Sequence, residues 1–283
     1  MITTIYPNAK DFLAITQPVL QENEAVNNLM LGLCLRMVRQ GEPIDPQPLF
    51  ATVCQQQEVI VASVMTPPHN LVLYSSRLDC TTALETLAKR LLEDNWMVPG
   101  VIGPVGVVER YGEISSGLSG RGWRVEMRQR IYELRKVFPP SPAPGHLRLA
   151  AEIDLPLVAQ WMLAFHREAL GENEPPLDAE NVARERIQNQ QIYLWEDGSP
   201  VSMAASSRPT LNGTTVNMVF TPPELRRRGY ASNCVASLSQ LLLDSGYQFC
   251  ALYTDLANPT SNDIYVRIGY TPIADSIFIK FGA

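Results

Sequence analysis

The residues best suited to chemistry lie together at Arg226-Arg227-Arg228-Gly229-Tyr230-Ala231. An apolar stretch, 215–220, precedes them. Behind them Cys234, Val235, Leu238, Leu241 and Leu242 repeat at helical spacing, and Gly246 supplies the stop. Strand, turn and helix in that order build an anion site. The first N–H groups of a helix lack intrahelical partners, and the helix dipole adds about half a positive charge there. Gly229 has no Cβ to hold an anion off the backbone, and small Ala231 and Ser232 keep the first turn open. Three planar guanidinium groups suit phosphate oxygens. The ligand this fits is a pyrophosphate. Neither the Gly-x-x-x-x-Gly-Lys-Ser/Thr loop nor the Gly-x-Gly-x-x-Gly turn is present.

Other reactive side chains are dispersed. Cys34, Cys54, Cys80, Cys234 and Cys250 form no Cys-x-x-Cys pair and sit mostly in apolar stretches. They read as buried, reduced thiols of a cytoplasmic protein. His69, His146 and His166 do not cluster with them, so no metal is expected. His166, on a predicted helix, reads as a surface or internally satisfied histidine, with substrate contact as the alternative.

These residues need elements to hold them. Residues 137–146 contain four prolines, at 139, 140, 142 and 144, which stop helix and strand and favour an extended linker. The chain divides there into 1–136, the linker 137–146, and 147–283. In the second part a short strand at 147–150 leads to a helix from Asp154, with Leu157, Val158, Trp161, Met162 and Phe165 on one face. A second helix, 178–189, and a hairpin turning at Asp197-Gly198 follow. Asn212-Gly213 turns into the strand before the arginines. A strand at 249–254, a short helix at 261–268 and closing strands at 270–281 complete a β-α-α-β-β-β-α-β-α-β order. The first part repeats three strands of it, at 49–55, 58–65 and 71–76, then a helix bearing Leu84, Leu87, Ala88, Leu91 and Leu92. The expectation is an α/β (α+β) chain of two tandem copies of one fold.

Composition narrows the partners. Of 283 residues 46% are hydrophobic, ample for a core, and the net charge of -6 disfavours nucleic acid or an anionic membrane. No secretory leader or membrane-spanning run is visible.

Arg226-x-x-Gly229-x-Ala231 resembles the Gln/Arg-x-x-Gly-x-Gly/Ala signature of the GCN5-related N-acetyltransferases. Downstream, Thr254-Asp-Leu-Ala-Asn-Pro and Tyr265-Val-Arg-Ile-Gly-Tyr resemble that family's next strand, helix and Gly-aromatic turn. The likeness covers about 147–283. It implies a mixed, mostly antiparallel central sheet flanked by helices, and acetyl-coenzyme A as co-substrate. It further implies a cleft where the strand before the loop splays from the next. Val219, Phe220 and Thr221 would pair with the pantetheine arm, and 226–232 would hold the pyrophosphate. Asn258 would either cap the following helix or bond the coenzyme. Tyr265 would protonate the departing thiolate as general acid, or serve only in the core. The acceptor implied is a primary amine of a small molecule or peptide. The strand Val216-Asn-Met-Val-Phe carries no carboxylate to act as base, which leaves Glu168, Glu172 and Glu174 as candidates. Glu224 reads as surface. Two alternatives stay open: a coenzyme-sensing module without catalysis, and an acyltransferase using another acyl group or a non-amine acceptor. The first part lacks the loop. It is expected to be a degenerate copy that acts as scaffold, forms one wall of the acceptor site, or mediates a homodimer.

Overall fold

A computed structural model describes residues 1–41, 46–170 and 178–282. By contacts the chain forms two compact units. The first comprises Met1–Ile131, Tyr253–Asn258 and Pro272–Ala283, and the second Tyr132–Leu252 and Pro259–Thr271.

The first unit contains β1 (Ile2–Tyr6), α1 (Ala9–Gln21), α2 (Asn28–Gln40), β2 (Leu49–Gln55), β3 (Glu58–Met65), β4 (Leu71–Tyr74), α3 (Thr81–Glu93), β5 (Gly100–Pro104) and α4 (Val105–Ser119). Most of β6 (Trp123–Leu134) follows. Its sheet runs β1-β2-β3-β4-β5-β12, where β12 is Thr271–Phe281. Among these pairs β4 with β5 is parallel and the rest are antiparallel. Strand alternation sends Leu49, Ala51 and Val53 into one apolar cluster with α3 and α4, and Phe50 into another with α1 and α2. Both faces are therefore covered.

The second unit repeats the order with β7 (His146–Leu149), α5 (Leu155–Leu170), α6 (Ala179–Gln188), β8 (Ile192–Glu196), β9 (Pro200–Ser207), β10 (Gly213–Phe220), α7 (Tyr230–Asp244), β11 (Phe249–Asp255) and α8 (Pro259–Arg267). Its sheet order is β11-β10-β9-β8-β7, with β10 and β11 parallel. On β9, Ala204 points to the α7 and α8 side, and Met203 and Ala205 to the α5 and α6 side. The tandem, mixed and mostly antiparallel architecture expected from the sequence is the one observed.

Two local devices set the positions of the functional elements. Arg148 on β7 donates from Nη1 and Nη2 to Asp154 at 2.7 and 2.9 Å, and its Nε pairs with Glu196. Asp154 also accepts from the Ala151 amide at 2.8 Å. The Arg148 guanidinium holds the Asp154 carboxyl below the usual carboxylate range. This fork fixes the point where α5 begins. The proline-rich segment is docked rather than free. Trp195 Nε1 donates to the Pro144 carbonyl at 2.9 Å, Asn233 Nδ2 to that of Ser141 at 3.0 Å, and the Phe138 amide to that of Ile268 at 2.9 Å.

Candidate coenzyme site of the second unit

Residues Gly213–Thr215 of β10 pair with Phe249–Ala251 of β11, and the parallel ladder ends there. From Val216 onward β10 is held by β9 alone. That pairing is interrupted by a bulge, because Asn217 faces Ala205 while Phe220 faces Met203. Met218 absorbs the extra residue with φ 52°, a left-handed conformation uncommon outside glycine. The result is a splayed strand with backbone groups turned out of the ladder. Phe220 is buried with its ring 6.0 Å from that of Trp161 on α5. Ser202 supports the strand end, donating to the Phe220 carbonyl at 3.1 Å and sharing a 2.8 Å bond with the Thr221 hydroxyl. Neither the bulge nor the Ser202 strut has a sequence signal, since Met218 is not a residue type that marks a left-handed turn.

A 3-10 turn, Pro223–Leu225, leads into the arginines. Arg227 (φ 62°) and Gly229 (φ 81°) are both left-handed, and Gly229 caps α7. The chain thereby coils over the start of a 15-residue helix. Among the described residues no hydrogen bond occupies the amides of 227–229. Those of Tyr230, Ala231 and Ser232 begin α7, where no preceding turn can accept them. The cradle therefore fits a pyrophosphate in both charge and donor count. A Cβ at Gly229 would lie 3.5 Å from Ala143 Cβ and Asn233 Nδ2, so the requirement for glycine is conformational and not steric.

The three arginines differ in what they do. Arg226 turns toward α5: Nε donates to the Thr221 carbonyl at 2.9 Å, and Nη2 reaches both Glu168 oxygens at 2.7 and 2.9 Å. Its guanidinium carbon lies 5.9 Å from the Phe220 ring centre. Arg227 and Arg228 are exposed, and Arg228 Nη2 donates to the Glu224 carbonyl at 3.3 Å. Tyr230 is buried and donates to Asp197 at 2.7 Å, a bond that pushes its phenol above the ordinary range.

Tyr265 on α8 lies in the same apolar cluster as Tyr230, with Val219 packed against it. Its ring meets Tyr270 edge-on at 5.9 Å, and burial raises its hydroxyl well above the ordinary phenol value. Asn258 groups with the first unit, and its amide donates to the Asp255 carbonyl at 3.0 Å. Glu168 is engaged by Arg226, Glu224 is exposed, and Glu172 and Glu174 lie outside the described residues. Burial pushes the thiols of Cys34, Cys234 and Cys250 up to about 12, so they stay protonated and unreactive at neutral pH. In the first unit the turn after β4 contains no glycine, and Ser75 Oγ accepts from the Arg77 amide at 3.1 Å. No described helix is long and apolar enough to cross a membrane.

Residues 197–279 match the family model of the FR47-like proteins. No curated protein sequence matches the chain. Among solved structures, a Drosophila protein is 13% identical with a TM-score of 0.71, covering 99% of this chain and 98% of its own. A GCN5-related N-acetyltransferase from Sphaerobacter thermophilus is 15% identical with a TM-score of 0.62, over 99% and 95%. A tandem protein of the same fold, from the clavulanic acid biosynthesis pathway, is 12% identical with a TM-score of 0.59, over 98% of each chain.

Proposed function

For a chain whose tandem units carry the fold of the GCN5-related N-acetyltransferases, we propose that the second unit transfers an acetyl group from acetyl-coenzyme A to a primary amine. The observation that carries this reading is the conjunction of the splayed, bulged β10 with the left-handed loop at Arg227 and Gly229. The co-substrate supplies an activated acetyl thioester. The amides of 227–232 hold its pyrophosphate, with Arg227 and Arg228 adding charge around them. Arg226 braces the loop against α5, and the backbone of Val219, Phe220 and Thr221 pairs with the pantetheine arm. Asn258 is assigned to the coenzyme by resemblance alone.

The acceptor nitrogen attacks the thioester carbonyl directly, with no covalent acyl-enzyme, and a β10 backbone N–H stabilises the developing oxyanion. Tyr265 delivers its proton to the departing sulfur. Its raised pKa keeps it in the acid form that this step requires. Coenzyme binding without transfer is the second reading, and the lack of a carboxylate on β10 favours it.

Incubation of the protein with acetyl-coenzyme A and a panel of amines and amino acids tests transfer. The expected result is release of free thiol that depends on one acceptor class. Thiol release no faster than hydrolysis with every acceptor would leave only the sensor reading.

A further inference from the structure

Among the described residues of the second unit, two side-chain atoms able to accept a hydrogen bond are buried with no partner: His166 Nε2 on α5 and Asn217 Oδ1 on β10. A buried acceptor without a donor is costly, and it persists where a ligand or water completes it. The two occupy elements that pack together. Phe165, next to His166, and Met218, next to Asn217, rest on the same apolar cluster. His166 extends the i, i+4, i+8 column of Val158 and Met162, both fully buried, so its ring is directed inward while remaining part-exposed. On either side of it α5 is pinned to the coenzyme site, by Trp161 against Phe220 and by Glu168 against Arg226. Asn217 is the last β10 residue before the bulge. Its Nδ2 donates to Ser207 Oγ at 3.0 Å, and Oδ1 is the end of the amide without a partner.

An alkylammonium group presents donors and no acceptor, the complement of two orphaned acceptors. The geometry points to His166 and Asn217 as the acceptor-amine site, with Asn217 Oδ1 orienting one N–H and His166 Nε2 taking the proton that frees the lone pair. This inference rests on the proposed transferase activity and supplies the base that β10 lacks. The steps balance. The ammonium gives one proton to His166 Nε2, and the imidazolium gives it up to water once the product leaves. The neutral nitrogen forms the C–N bond as the C–S bond breaks. Sulfur takes the Tyr265 proton, and the second nitrogen proton restores Tyr265.

The test measures kcat and KM with the best amine, and acetyl-coenzyme A affinity by calorimetry, for wild type, His166→Ala, His166→Gln and Asn217→Ala. Loss of the base is expected to lower kcat about 100-fold or more in both His166 variants. Coenzyme affinity should stay unchanged, and free imidazole should restore part of the rate to His166→Ala. Asn217→Ala should raise the amine KM by about tenfold, with a smaller change in kcat. If wild type transfers acetyl and whichever His166 variant folds keeps kcat within about threefold, the inference is overturned and the transferase reading stands. Coenzyme binding by wild type without transfer to any amine overturns both.

Discussion

Gly229→Val is expected to weaken acetyl-coenzyme A binding about 100-fold or more, while the protein still folds. The site of the damage is the backbone. Gly229 adopts φ 81°, and the nearest atoms to an added Cβ are 3.5 Å away, so a side chain fits but the dihedral does not. A β-branched residue there bears strain on the order of 1–3 kcal/mol. The loop relieves it by leaving the left-handed region, which rotates the amides of 229 and 230 off the pyrophosphate. Each charge-assisted hydrogen bond lost is worth about 1.5–3 kcal/mol, and two of them account for the expected change. Gly229→Ala should fall between wild type and valine. Calorimetry reads the affinity and a thermal melt reads the fold. An unchanged dissociation constant for the folded valine variant would contradict the role of the loop.

Tyr265→Phe is expected to lower kcat by about 100-fold or more while leaving coenzyme affinity and melting temperature near wild type. The ring remains, so the edge-on contact with Tyr270 at 5.9 Å and the packing on Ile268 survive. Only the proton donor is removed. The sign of the pH effect follows from the raised pKa. The phenol is protonated below its folded pKa, and desolvation places that pKa above the ordinary 10.0. Tyr265 therefore contributes no alkaline fall in rate through neutral and mildly basic pH. A phenylalanine variant with wild-type kcat would remove Tyr265 from the reaction.

How far the sequence reveals these features depends on whether a local rule or a tertiary contact decides them. The order of elements in the second unit is legible because Asp197-Gly198, Asn212-Gly213 and Gly246 punctuate runs with clear period. The loop is legible as a candidate anion site because Gly229, beside three arginines, stands between an apolar strand and an amphipathic helix. In the first unit β1, α1, α2, β5 and α4 have weaker boundaries, and Pro18 inside α1 disguises a helix. The bulge at Met218 is set by pairing with β9, which no single strand encodes. Nor does the turning of Arg226 toward Glu168 show in a run of three like residues. It depends on α5 reaching the loop, 58 residues away in sequence. Likewise 272–283 groups with the first unit through pairing of β12 with β5, a partnership its alternating pattern leaves open.

In the proposed function one coenzyme pyrophosphate is cradled by the amides at 227–232. Assigned amide NMR during titration of the wild-type chain with acetyl-coenzyme A tests it most directly. Saturable shifts are expected, largest at Arg227 through Ser232, with smaller ones along Val219–Thr221. Saturable shifts centred on the turn after β4, or none at about 1 mM coenzyme, would contradict it.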